Sequence, residues 1–253
     1  NSMTKITAII PTLNEEIHIE AAIKSVHFAD EIIVIDSYST DKTVVLAEKH
    51  NVKIIKRKFD DFSSQKNFAI DQAKHPWIYI LDADERVTPE VKKEILKAVQ
   101  KPKGKVGFYV RRSFYFAGKK IKYSGWQRDK VVRLFLKAHC RYRGIVHESI
   151  KANGELGFFN NKIDHFGYRN YNHFIDKINH YAFLKSIDLH KQGKRAGLYH
   201  ILVKPPARFF IHYFIRLGFL DGFAGIILAK TLAYSVRTRY VKLWLLNQGI
   251  KEN

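Results

Sequence analysis

The chain is poor in the residues that build cross-linked or metal-cluster proteins. One cysteine, Cys140, occurs in 253 residues; this excludes a disulfide framework and any cluster of thiolate ligands, and it fits a reducing compartment. No apolar run approaches the ~20 residues needed to cross a bilayer. The glycines form neither Gly-x-Gly-x-x-Gly nor Gly-x-x-x-x-Gly-Lys, so dinucleotide and P-loop fingerprints are missing. Met3 leads within a few residues into a strand pattern, and no secretory leader is expected. Acids are scarce in one stretch: from Lys101 to Lys151 there are fifteen Lys or Arg but only Asp129 and Glu148.

What is present is positive charge, a formal +20. Charge of that size implies an anionic partner: nucleic acid, an anionic membrane surface or a phosphorylated substrate. A hydrophobic fraction of 46% excludes a disordered chain. The length suffices for one large domain, or for a domain with an appendage.

The first hundred residues alternate between two periodicities. Ile6–Ile10, Ile32–Ile35, Val52–Ile55 and Ile78–Leu81 are short, apolar and rich in β-branched or aromatic residues, as expected of strands buried on both faces. Helical stretches lie between them, near 17–26, 42–50 and 64–73. Thr88-Pro89-Glu90 opens a fourth, with Thr88 as N-cap and Pro89 in the first turn. Alternation with short links predicts right-handed βαβ units and a doubly wound sheet. Later strands are expected at 108–110 and 131–135. Helix is expected after His165, where Phe174, Ile175, Ile178 and Tyr181 recur at helical spacing.

The apolar run Trp77–Leu81 ends in Asp82-Ala83-Asp84. Two carboxylates one residue apart repel, and a hard divalent cation carrying phosphate oxygens would relieve that repulsion. In an open α/β sheet, ligands bind at the carboxyl ends of strands. Two further strands end in polar loops, Pro11-Thr12-Leu13-Asn14-Glu15 and Asp36-Ser37-Tyr38-Ser39-Thr40-Asp41. Either loop alone is more often helix capping than binding; three such ends in one sheet favour a site.

Taken in order, these motifs with Gln65-Lys66-Asn67 resemble family 2 glycosyltransferases of the GT-A fold, over roughly residues 4–150. Gly125-Trp126, Arg133-Leu134-Phe135 and Val146-His147-Glu148 are similar to the bacterial lipopolysaccharide-core β-glucosyltransferase subgroup. The resemblance implies a Rossmann-like, mostly parallel sheet with flanking helices. Residues 3–165 would form the catalytic domain, with a nucleotide-sugar half (3–100) and an acceptor half (101–165). A helical region with an amphipathic tail would follow over 166–253. It implies a UDP-sugar donor bound by Thr12, Asn14, Glu15, Asp36, Ser39, Lys66, Asp82 and Ala83, and Mn²⁺ or Mg²⁺ held by Asp84, Asp82 and His165. Family 2 enzymes invert the anomeric centre, which requires a base; Glu148 is the candidate, with a salt bridge to Arg143 or Arg141 as its alternative role and His147 as the alternative base. Trp126, Arg128, Asp129 and His147 fall where the subgroup meets its acceptor, although Trp126 fits a packing anchor equally well. His165, one histidine among twelve, also fits a structural role.

The tail from Ala207 to Leu246 mixes Phe, Ile and Leu with Arg and Lys, and Asp221 is its one acid. Charges at that density forbid spanning. The segment suits the headgroup region of an anionic leaflet; the rival is a helical pair packed on the protein, turning near Leu217-Gly218 and Asp221-Gly222. The expectation is a cytoplasmic enzyme, peripheral on the inner face of the cell membrane, acting on a lipid-linked saccharide, with no nucleic acid partner. The alternatives are a polyprenyl-phosphate glycosyltransferase and a non-catalytic basic protein that binds membrane or nucleic acid.

Overall fold

A computed structural model describes residues 2–144, 149–167 and 171–250. In chain order the elements are β1 (Ile6–Thr12), α1 (Ile19–Ser25), β2 (Glu31–Asp36), α2 (Thr43–Ala47), β3 (Lys53–Lys56), α3 (Phe62–Asp71), β4 (Trp77–Ile80), β5 (Glu85–Arg86) and α4 (Pro89–Gln100). There follow β6 (Lys105–Phe116), β7 (Lys119–Lys120), β8 (Lys130–Leu136), β9 (Cys140–Arg143), β10 (Ser149–Ala152) and β11 (Glu155–His165). The last elements are α5 (Tyr171–Lys191), α6 (Leu198–Leu202), α7 (Lys204–Phe210) and α8 (Phe223–Asn247). The chain divides into two compact units, residues 1–112 with 129–165 and residues 113–128 with 166–253.

In the first unit the alternating segment forms the expected parallel pairs, β1 with β2, β1 with β4 and β2 with β3. Successive β1 side chains enter opposite faces. Ile6, Ala8 and Ile10 join α1 and α4 through Ile19, Ile23, Val91 and Ile95, while Ile9 joins α3 through Ala69 and Ile70. Helices on both faces explain why β1 and β2 read as nearly continuous apolar runs. α4 starts as expected: the Thr88 hydroxyl accepts from the Val91 N–H at 3.4 Å, with Pro89 in the first turn.

The sheet departs from the expected mostly parallel one. It runs β3-β2-β1-β4-β8-β6-β11-β5, and β4 pairs antiparallel with β8, as β8 does with β6. Parallel pairing needs a helical crossover, and beyond α4 the strands return without one, so the sheet is mixed. β3 is half-exposed along its length because it is the edge strand. β5 pairs with the end of β11, setting Glu85 opposite His165 and Arg86 opposite Asp164.

The second unit packs around Phe114, Phe116, Ile121, Phe174, Ile178 and Leu228. α8 lies against α5 and α7, burying Leu228, Ala229, Val236 and Leu243. The tail is therefore several pieces: α7, a π-helical turn over Ile211–Ile215, a 3₁₀ turn over Gly218–Asp221, then α8. The turn sits where the packed-pair alternative put it, with Leu217 and Gly222 at positive φ. A Cβ on Gly225 would sit 1.8 Å from the Gly218 carbonyl oxygen, so only glycine permits that approach. Asp221 is buried, and its carboxylate accepts from the Lys122 and Tyr123 N–H groups at 3.0 and 2.9 Å. Among the described residues, no helix is long and apolar enough to cross a membrane.

Candidate active site

The parallel register sets Thr12 beside Asp36 at the carboxyl ends of β1 and β2. Asp36 is fully buried; its carboxylate accepts from the Ser39 N–H at 2.9 Å, the Ser39 hydroxyl at 2.5 Å and the Thr12 hydroxyl at 3.3 Å. The two loops also bind each other. Asn14, at φ 54°, donates its N–H to Ser39 Oγ at 2.8 Å and accepts from the Thr40 N–H at 2.8 Å; the Glu15 N–H donates to Thr43 Oγ1 at 2.7 Å. Thr12, Asn14, Asp36 and Ser39 are thus one hydrogen-bonded cluster, with Glu15 tied beside it to Thr43, and part of what reads as capping is this lock between strand ends.

Lys66, buried on α3, lies 3.7 Å from Asp82 Oδ1 and 5.0 Å over the Tyr142 ring. The other Asp82 oxygen pairs with Arg133, which β8 carries in from its antiparallel pairing with β4. Arg133 also reaches Glu85 at 2.6 Å, Glu85 takes Arg112 at 3.2 Å, and Arg112 Nε donates to Asp129 at 2.7 Å. Glu85 Oε2 accepts from the Asp82 N–H at 3.2 Å. Three carboxylates and three cations balance, with Glu85 and Arg133 almost wholly buried. Burial raises the Asp82 carboxyl, but Arg133 and Lys66 outweigh it and hold the group well below the usual carboxylate range. Burial also raises Glu85, and there it prevails over the pull of Arg133.

Asp84 points elsewhere. Its Oδ2 lies 3.5 Å from His165 Nε2, the two side chains 20% and 19% exposed, so both remain reachable from solvent. The short β5–β11 pairing brings these distant residues together. The Ala83 carbonyl accepts from Arg86 at 2.7 Å. Among the described residues, no three His, Cys, Asp or Glu side chains gather as a ready metal cage. One carboxylate with one imidazole nonetheless fits a Mg²⁺- or Mn²⁺-type ion, which takes few protein donors and completes its shell with water and phosphate oxygens.

Of the acceptor set, Asp129 belongs to the Arg112 pair, and Trp126 stacks on Phe114 with ring centroids 4.3 Å apart. Glu148 and His147 lie outside the described residues, as does the Arg128 side chain. Arg141, offered as a partner for Glu148, pairs with Asp71 at 2.9 Å. Sequence reading gave no role to Glu85 or Arg112 and took Arg133 only as part of the motif Arg133-Leu134-Phe135. Arg133 left a signal: a cation inside the apolar run 131–135 must find a buried partner or cost dearly.

Comparison with known proteins identifies the family. The sequence model of the family described as glycosyl transferase family 2 matches residues 7–166. The chain is 31% identical over 252 residues to an uncharacterized glycosyltransferase of Rickettsia bellii, spanning 94% of this chain and 86% of that one. It is 27% identical over 250 residues to the lipopolysaccharide core biosynthesis glycosyltransferase LpsC of Rhizobium meliloti, spanning 93% of each. A solved glucosyl-3-phosphoglycerate synthase from Mycobacterium tuberculosis overlaps 44% of either chain at 21% identity and a TM-score of 0.38, a likeness too partial to bear on function. With the family's model covering more than half of its length, this chain belongs to glycosyl transferase family 2 and is a glycosyltransferase.

Proposed function

We propose that the chain moves a hexose, glucose in this reading, from a UDP-sugar to a lipid-linked saccharide of the lipopolysaccharide-core kind, with inversion and with Mn²⁺ or Mg²⁺. The observation that carries the reading is the division of labour at Asp82-Ala83-Asp84: Asp82 is turned into a buried ion network, and Asp84 is left beside His165. Residues 3–100 take the nucleotide-sugar, residues 101–165 face the acceptor, and residues 166–253 are the helical appendage. The relative named for lipopolysaccharide core biosynthesis supports the acceptor class.

Asp36 accepts from uracil N–H or ribose hydroxyl groups, held in place by Thr12 and Ser39. Asn14 and Glu15 close the pocket wall. Lys66 and Arg133 fix Asp82 toward the ribose and keep it ionised. Asp84 and His165 would hold the cation, whose chemistry there is to neutralise charge gathering on the departing diphosphate. Glu148 takes the acceptor proton as the new glycosidic bond forms and the bond from the anomeric carbon to phosphate breaks. Trp126, Arg128, Asp129 and His147 contribute to the acceptor side. The chain works peripherally at the inner face of the cell membrane, a reading supported by exposed Phe210, Ile211, Phe214, Ile215 and Phe223 among cations. The test is a panel of nucleotide-sugars followed by thermal stabilisation, with and without Mn²⁺. Stabilisation by UDP-hexoses that requires metal is expected; none from any UDP-sugar would overturn the reading.

A further inference from the structure

The second unit contains a group of cations that, among the described residues, have no carboxylate within ion-pair distance. His212, 6% exposed, lies on the π-helical turn with Nδ1 2.7 Å from the Ser124 carbonyl oxygen. A carbonyl only accepts, so Nδ1 carries the proton and Nε2 presents a lone pair. Two guanidinium groups converge on that one atom, Arg208 at 3.3 Å and Arg216 at 3.4 Å. The wide turn, closed by the Arg216 N–H on the Ile211 carbonyl at 2.8 Å, sets residues 208, 212 and 216 on one face. Gly125 makes room for Arg216: a Cβ there would sit 2.5 Å from its Nη1.

A neutral imidazole is a poor answer to converging cations. From residue 199 to residue 250 the sequence has one acid, Asp221, and its carboxylate is committed to the Lys122 and Tyr123 N–H groups. We propose that Arg208 and Arg216, with His212, form a binding site for a phosphate ester. Two guanidinium forks suit a tetrahedral group with three or four acceptor oxygens, whereas a carboxylate satisfies a single fork and a neutral sugar offers no charge. A singly protonated phosphate can also donate to His212 Nε2. Arg216 is exposed and Arg208 half-buried, so the group is reachable from solvent. Two sources offer this chemistry, a phosphorylated saccharide or the headgroup of an anionic lipid. The site lies outside the strand-end loops assigned to the donor and stands whether or not that assignment holds.

The experiment uses the full chain in excess UDP, with UDP binding measured separately so that a failure of the donor reading is seen on its own. One arm titrates glucose 6-phosphate and inorganic phosphate by thermal stabilisation; the other measures flotation with phosphatidylglycerol against phosphatidylcholine vesicles. Arg208→Gln and Arg216→Gln are expected to weaken binding about tenfold or more, the scale of one hydrogen bond to a charged group. Loss in the soluble arm assigns a phosphorylated saccharide, and loss in the vesicle arm alone assigns a headgroup. Equal binding by variants and wild type in both arms overturns the proposal. Should the variants not fold, the His212 Nε2 resonance of ¹⁵N-histidine-labelled wild type decides: it shifts with at least one probe, or the proposal fails.

Discussion

The two units handle charge in opposite ways. The first carries twenty-six Lys or Arg and twenty acids; the second carries eighteen and four. In the first, cations are structural partners: Arg133 with Asp82 and Glu85, Arg112 with Asp129, Arg141 with Asp71, Arg57 with Asp60. In the second, Lys185 pairs with Asp188, but Arg208 and Arg216 rest on a histidine and Lys204 on the Tyr240 hydroxyl. Paired charge sets the geometry of a site, whereas unpaired charge is held ready for something outside the chain. In the proposed reading, the first unit carries the glycosyl-transfer machinery and the second the group that meets a phosphate ester.

The contrast breaks most visibly on transfer itself. Glu148→Gln should lower sugar transfer roughly a hundredfold or more while leaving UDP-sugar affinity unchanged, as expected for a base that faces the acceptor; a parallel fall in donor affinity would move Glu148 into the nucleotide pocket or the scaffold. Stability comes next. Arg133→Ala strands Asp82 and the buried Glu85, and denaturant unfolding should register a loss of about 3–5 kcal/mol. Arg208→Ala removes a cation that has no acid partner among the described residues and should cost less than ~1 kcal/mol. Equal losses in the two variants would erase the distinction between the units.

The smallest effect is in pH. Burial first, then the Arg216 and Arg208 charges, lower the His212 pKa against the opposing hydrogen bond to Ser124. The folded value therefore lies below the unfolded ~6.5, and the unfolded chain takes the proton first. Stability from this residue is present above pH ~6.5 and is lost as the pH falls through the folded value. The melting temperature of His212→Gln should accordingly fall less than that of wild type between pH 7 and pH 5. Identical slopes would show that His212 is not held neutral.

Local pattern carried the first hundred residues. The β-branched runs, the Thr88 cap and the polar strand ends all depend on neighbours in sequence, and the structure forms each of them. Long-range register was illegible. The antiparallel return of β8 onto β4 brings Arg133 to Asp82, and the two-residue pairing of β5 with β11 brings His165 to Asp84. No spacing along the chain encodes either meeting, although the lone cation in the run 131–135 and the acid following Asp84 hinted at the first. In the tail, apolar residues mixed with cations read alike whether a helix packs on protein or on lipid. The turn between the two packed pieces depends on the approach of Gly225 to the Gly218 carbonyl, which no periodicity announces.

Calorimetric titration of UDP-glucose into the chain, with and without Mn²⁺, tests the central claim most directly when Asp84→Ala is run beside Asp221→Asn from the second unit. Wild type and Asp221→Asn should both bind, with affinity falling at least about tenfold when metal is withheld. Asp84→Ala should bind no better with metal than without, while its circular dichroism stays that of the folded protein. Full, metal-dependent binding by Asp84→Ala would contradict the assignment of Asp84 and His165 as the place where cation and diphosphate meet.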